Sequence, residues 1–402
     1  MPITGSDDRR YRRLLAALCF ISVIGPLTTF LYLPALPEVA RLFNTTEAGA
    51  QGTLTSFLIG NCLGFALLGR LNDRFGQRRS YVSVMALFIF ASLMVAVSPS
   101  LTWLVVARFF QGIGASIGVI TARSIVRRTF PNGGSGGMAV LSAMGGLAPA
   151  ASPVIGAIVL LVADWRMTFV SVAVLGAMSL LLSLKLFPKG AHLPAPVGKA
   201  GSALRKVLAH PETRAGFLLG SLHNGTFMVM MAGSPFIFVE TFGWSQLSYS
   251  LLFGVILSSF AVMSIISGRA FPRHGIRRIM KFGLPGMVLG ALATMGGAAA
   301  NVDWMIALGL FVMICSMGPI VPGNHVRMLD PYPEMTGSVV GLSMLAVTLS
   351  GVVMIWLYGL FSEGSVLGYG LWIGIVTLLA VGTWLLYPPP ADVGRETSLV
   401  AA

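Results

Sequence analysis

Two stretches set the frame for the whole chain: GRLNDRFGQRR at Gly69–Arg79 and GRAFPRHGIRR at Gly268–Arg278. Gly69, Arg70, Arg74, Gly76, Arg78 and Arg79 each find an identical residue 199 positions later, at Gly268, Arg269, Arg273, Gly275, Arg277 and Arg278. So many identities at one offset mark an internal duplication rather than two unrelated basic loops. Each stretch follows an apolar run of about twenty residues, the length that crosses a hydrocarbon core of ~30 Å.

Outward from these loops, apolar runs predict spans over 14–36, 48–69, 80–98, 101–122, 138–162 and 167–187 in the first half. In the second half they predict spans over 215–239, 246–268, 279–300, 305–326, 336–359 and 368–387. The polar, basic segment PKGAHLPAPVGKAGSALRKVLAHPETR separates the sixth run from the seventh. The expected organisation is therefore an N-terminal six-helix bundle (1–187), a cytoplasmic linker (188–214) and a C-terminal six-helix bundle with a short tail (215–402). Parallel repeats of this kind are a transporter architecture.

Composition agrees. The chain is 55% hydrophobic and only 10% charged, with a mean hydropathy of +0.83, against roughly 25% charged in soluble domains. A net charge of +13 raises the question of nucleic acid, and the placement of the basic residues answers it. With the N-terminus inside, every one of the 27 lysines and arginines except Arg41, Arg108 and Arg166 falls on the cytoplasmic side, a positive-inside pattern rather than a nucleic-acid patch. Both termini are then cytoplasmic. Trp103, Trp165, Trp244 and Trp304 fall at the opposite span ends, as an aromatic belt would. Cys19, Cys62 and Cys315 lie inside apolar runs and read as small buried hydrophobes, implying neither disulfide nor metal. The first run is too long for a signal peptide.

The loop at Gly69–Arg79 resembles the signature that follows the second helix in the major facilitator superfamily. VVARFFQGIG at 105–114 resembles that superfamily's RxxQGxG signature through Arg108, Gln111, Gly112 and Gly114. YLPALP at 32–37, ARSIVRR at 122–128, DWRMTF at 164–169 and AGSPFIFVETFGWS at 232–245 narrow the resemblance to the bicyclomycin-resistance-like branch of drug:proton antiporters. The resemblance implies an all-α membrane protein with the major facilitator fold, twelve transmembrane helices in two pseudo-symmetric bundles. It also implies export of small molecules by alternating access, in exchange for protons, across a bacterial inner membrane. It assigns a cytoplasmic gate to Gly69, Asp73, Arg74, Gly76, Arg78 and Arg123. Spans one, two, four, five and seven face the central pathway in the superfamily. The resemblance therefore places Phe30, Tyr32, Asn61, Phe65, Arg108, Met144, Asn224, Met228 and Phe236 along a substrate cavity. Aromatics and methionines there suit varied apolar ligands. A monomer working with a small-molecule substrate and protons, without cofactor or metal, is expected.

Arg108 is the costly residue, since an arginine within a span costs ~2.5 kcal/mol or more. It must face a polar cavity or snorkel to the outer interface. The chain also departs from the branch: Phe30 stands where an aspartate is common, and Phe65 where a glutamine is common. None of the 14 acids is expected near mid-span, although a buried carboxylate is the usual proton carrier. Glu38 and Glu240, at outer span ends, and His223, which titrates near pH 6.5 when unperturbed, are the substitute candidates. His223 reads equally as a packing histidine. Without a coupling carboxylate, a proton-independent facilitator or importer is the alternative. An enzyme is not expected, because HExxH, paired intramembrane aspartates and a phosphate loop are missing from the sequence.

Overall fold

A computed structural model of the chain describes residues 5–129, 135–187, 210–329, 331, 336–362 and 364–389. Most of the expected linker, over 188–209, lies outside them. Among the described residues, 12 helical segments are long and apolar enough to cross a membrane. In the first half, α1 (Gly5–Leu31) passes through a 3₁₀ turn (Leu33–Ala35) into α2 (Leu36–Leu42). There follow α3 (Glu47–Phe75), α4 (Gln77–Ala96), α5 (Leu101–Thr129), α6 (Ser135–Val162) and α7 (Trp165–Leu186). The second half holds α8 (Pro211–Pro235), a π-helical turn (Phe236–Thr241), α9 (Gln246–His274), α10 (Ile276–Ala300), α11 (Asp303–Leu329), α12 (Thr336–Phe361) and α13 (Val366–Leu386).

Local chemistry explains the irregular points. Pro34 and Pro37 have no amide to donate, so the first span tightens into the 3₁₀ turn and runs on to Leu42 instead of ending at 36. Pro235 does the corresponding job in α8, where the chain widens into the π turn. The repeat seen in the sequence extends to the backbone. Helices α3 and α9 begin and end 199 residues apart. Gly76 (φ 82) and Gly275 (φ 79), at the same spacing, hold the left-handed conformation that lets the next helix start at once. Asn44 (φ 49) and Gly243 (φ 71) repeat it at the other end of α3 and α9. Of the non-glycine residues, asparagine tolerates that region best.

The chain divides into two compact units, Met1–Thr45 with Gly52–Val197, and Thr46–Gln51 with Gly198–Ala402. Their internal packing follows one scheme. In the first, α4 packs on α5 and α7, and α1 packs on α5, α6 and α7. In the second, α10 packs on α11 and α13, and α8 packs on α11, α12 and α13. Lipid gives apolar helices no reason to associate, so close backbone approach does the work. Gly60 of α3 lies against the Phe109 carbonyl, and Gly112 of α5 against the Phe57 carbonyl, with no room for a Cβ at either. Outward faces are apolar, with Val162, Leu386 and Phe282 among the most exposed side chains, as a lipid-facing surface requires.

Two further findings locate charge and aromatic side chains. Arg327 of α11 is only 2% exposed and donates through Nε and Nη2 (2.9 and 2.6 Å) to one carboxylate oxygen of Glu212, in the first turn of α8. Asn324 beside it donates to the Gly216 carbonyl at 2.8 Å. Trp165, expected in an interface belt, is instead wholly buried. It packs edge-on against Phe43 and Phe169, with the Arg166 guanidinium 4.6 Å from its ring.

Glycine 112→Ala should cost about 1–3 kcal/mol through overpacking and lower the thermal midpoint of the purified protein. Gly52→Ala, where an added Cβ meets nothing, should leave the midpoint unchanged or raise it. Equal behaviour of the two would contradict the glycine contact. Glu212→Ala should cost about 3 kcal/mol, because it leaves the Arg327 charge buried alone; thermal unfolding in detergent measures this directly.

Candidate functional site

The first unit is built around a buried cation. Arg108 of α5 is 0% exposed and does not snorkel. Its guanidinium carbon lies 4.3 Å from the Phe57 ring centroid, 5.2 Å from Tyr32 and 5.4 Å from Phe169, all within cation–π range. These rings come from three helical segments: Tyr32 at the break after α1, Phe57 on α3 and Phe169 on α7. Tyr32 is fixed in turn by a 3.2 Å hydrogen bond between its hydroxyl and that of Thr53, and by its ring contact with Phe169 at 5.1 Å. The polar partner of Arg108 is one turn away. Its Nη1 donates to Gln111 Oε1 at 2.7 Å, Gln111 Nε2 donates to the Ser92 hydroxyl at 2.8 Å, and Ser92 donates to the Phe88 carbonyl at 2.7 Å. Nε and Nη2 have no hydrogen-bond partner among the described residues. The charge is thus balanced by aromatic faces and an amide relay into α4, with no carboxylate among its described partners.

The other expected cavity residues are distributed along both units. Phe30, near the end of α1, is buried. Asn61 and Phe65 lie on α3 and are half-buried, with Asn61 Nδ2 3.5 Å from the Gly112 carbonyl. Met144 is half-buried on α6. In the second unit Asn224 donates to the Val347 carbonyl at 2.7 Å, tying α8 to α12. Met228 and Asn224 together cover Gly351 of α12, and Phe236 opens the π turn, buried. His223 is 4% exposed, and neither ring nitrogen has a partner among the described residues. Glu38 is half-buried on α2 and Glu240 exposed in the π turn. The structure therefore brings Tyr32 and Arg108 together in the first unit and Asn224 and Met228 together in the second, and leaves the remaining candidates in separate local settings.

The family model of the Major Facilitator Superfamily matches residues 18–355. The chain belongs to the major facilitator superfamily. Among its relatives, an MFS-type transporter of Bacillus subtilis, YdgK, is 27% identical over 351 residues, covering 84% of this chain and 86% of that protein. The multidrug transporter MdfA of Yersinia pestis is 25% identical over 391 residues, covering 91% and 93%. Of solved structures, the xylose transporter XylE from E. coli, in a partially occluded inward-open conformation, superposes with a TM-score of 0.73. It is 15% identical and covers 94% of this chain and 97% of its own. The fold is thus that of superfamily transporters.

Among the superfamily's loop residues, Arg74 is exposed and lies 5.3 Å from the Phe75 ring. Gly76 makes the left-handed turn, and Arg78 Nη2 donates to the Leu184 carbonyl of α7 at 2.7 Å. Arg123 is half-buried on α5. The surroundings of Gly69 and the side chain of Asp73 lie outside the described residues. Phe57, Phe169 and Ser92 are the site residues that sequence reasoning missed. Phe57 and Phe169 stand in apolar runs with nothing to mark them as cation partners, whereas Gln111, three residues after Arg108, carried the helical spacing that predicts its contact.

Arg108→Met should leave the thermal midpoint unchanged or raise it, since exchanging a buried charge for an apolar group of similar size is commonly neutral or stabilising by about 1–4 kcal/mol. Gln111→Leu should lower stability by about 2 kcal/mol, because it strips the retained cation of its hydrogen bond. A lower midpoint for Arg108→Met than for Gln111→Leu would refute the caged-cation description.

Proposed function

We propose that this superfamily member exports amphipathic small molecules from a bacterial cytoplasm by alternating access, in exchange for protons. The observation that carries the reading is the match to a multidrug transporter over nine-tenths of both chains. The residues are consistent with it. The first unit would offer Phe30, Tyr32, Asn61, Phe65 and Met144 to the substrate, over a wall charged by Arg108. The second would offer Asn224, Met228 and Phe236. Apolar and aromatic surface with a few amides suits ligands that share hydrophobic area but no fixed pattern of polar groups. The Gly69–Arg79 loop and Arg123 would close the cytoplasmic side, and the basic residues at that end support cytoplasmic termini.

A second reading, a proton-independent facilitator or importer, draws on one observation. Phe30, where the branch resemblance leads one to expect an acid, is a buried phenylalanine. The fold itself is shared with a xylose transporter and leaves direction open.

Purified protein in proteoliposomes, given a fluorescent lipophilic cation outside and an acidic lumen, should accumulate the dye as protons leave. A protonophore should abolish that accumulation. Dye that equilibrates and ignores the protonophore would favour the facilitator, and failure to move any amphipathic compound under any pH gradient would sink the export reading.

A further inference from the structure

The first turn of α3 belongs with the second unit, although the rest of that helix belongs to the first. What holds it there is a carboxyl group. Glu47 Oε1 accepts from Gln51 Nε2 at 2.7 Å and from the Tyr358 hydroxyl of α12 at 3.2 Å. The same Gln51 nitrogen reaches the Ala232 carbonyl of α8 at 3.3 Å, one turn before the helix widens into its π turn. Gln51 and Tyr358 are both buried, and the Tyr358 ring is set by an edge contact with Tyr369, whose hydroxyl donates to the Met230 carbonyl. The surface opposite is shaped to admit the turn. A Cβ on Gly359 would stand 3.2 Å from the Ala48 Cβ, and one on Gly364 would stand 2.8 Å from Glu47 Oε2.

Two further facts make this carboxyl unusual. The groups that face it are Tyr358 of α12, Tyr369 of α13 and a second carboxyl, Glu240 of the π turn; among the described residues it has no cationic partner. Oε1 of Gln51 is buried beside it with no hydrogen-bond partner among the described residues. The internal repeat sharpens the point, because α9 begins with Gln246 at the position that Glu47 holds in α3. One half carries an amide that cannot ionise and the other its ionisable isostere.

We propose that Glu47 is a proton-binding site of this transporter, and that its protonated form clasps the first turn of α3 onto α8 and α12 while ionisation releases it to water. This rests on the export reading for its use in coupling, and it supplies the carboxyl that the middle of the spans lacks. An ionised Glu47 in the clasp faces Glu240 with neutral donors alone, whereas a released one is hydrated. Proton binding and the clasp are thereby linked without any acid at mid-span.

The clasp is tested apart from transport. In a full-length chain with Cys19, Cys62 and Cys315 replaced by alanine, Ala48→Cys and Gly359→Cys place two thiols at disulfide range. Copper-catalysed cross-linking is followed from pH 5.5 to 8.5 with Glu47 present and in a Glu47→Gln background. The ratio of the two cancels the pH dependence of the thiols. That ratio should fall roughly tenfold across the range, because the clasped form holds its proton more tightly than the released, hydrated one. A flat ratio overturns the proposal, whatever the transport result. In proteoliposomes Glu47→Gln should retain substrate exchange and lose its response to a pH gradient, with Glu47→Asp restoring part of it. Proton-driven transport undiminished in Glu47→Gln would overturn the coupling role. Should the parent chain move no substrate, the export reading fails while the cross-linking ratio still decides the clasp.

Discussion

Hydrocarbon offers a helix no hydrogen bonds and no reward for hiding apolar surface, and that constraint governs the rest of this structure. Stability must come from contact area and from polar groups that satisfy one another. The crossing of α3 and α5 meets the first need by erasing side chains at Gly60 and Gly112, so that backbones touch. Serines and threonines meet the second by donating to carbonyls of their own helix, as Thr28 does to Ile24 and Thr294 to Gly290. What these economies leave is a small set of charged groups whose presence needs a separate account.

The two arginines buried among the described residues are compensated in different ways. Arg327 meets a carboxylate at the end of α8, where Glu212 is itself 35% exposed and only half the pair has left water. Arg108 lies among rings and one amide. A guanidinium is weakly hydrated and planar, which makes it the cation best suited to aromatic faces. It also cannot release its proton at any physiological pH, so this charge is a fixture. The proton exchange proposed above would run through other groups, and the carboxyl at the start of α3 has the neighbours for that task.

Much of the fold was legible. The two basic loops, their common spacing and the length of the apolar runs contain the twelve spans and the duplication, because a membrane imposes length and polarity on every crossing segment. Span ends were less legible where proline tightens a helix without ending it, as at Pro34 and Pro37. Of the site, Arg108 and Gln111 could be read from cost and spacing, and Tyr32 from its motif. Phe57 and Phe169 could not, since a phenylalanine in an apolar run looks the same whether it faces lipid or a cation. Glu47 was hidden for the opposite reason: beside the polar run NTTEAG at 44–49 it reads as a loop acid, and only packing reveals that it starts a helix pressed against two glycines. Trp165 carried a misleading signal, because an indole at a span end serves a buried aromatic cluster as readily as an interface.

The breaks after α1 and in α8 carry a consequence for how the two halves are compared. In the register of the repeat the 3₁₀ turn begins four residues before the π turn, and both are followed by a left-handed residue that brings the numbering back into step. Yet one is overwound and the other underwound. A 3₁₀ turn advances each side chain further around the axis than an α-helix does, and a π turn advances it less. Between the break and the next helix, residues that align one to one in sequence therefore point in different directions. Homologous positions in this outer segment are not equivalent positions, and a role found for a side chain in one half cannot be transferred to its counterpart by alignment.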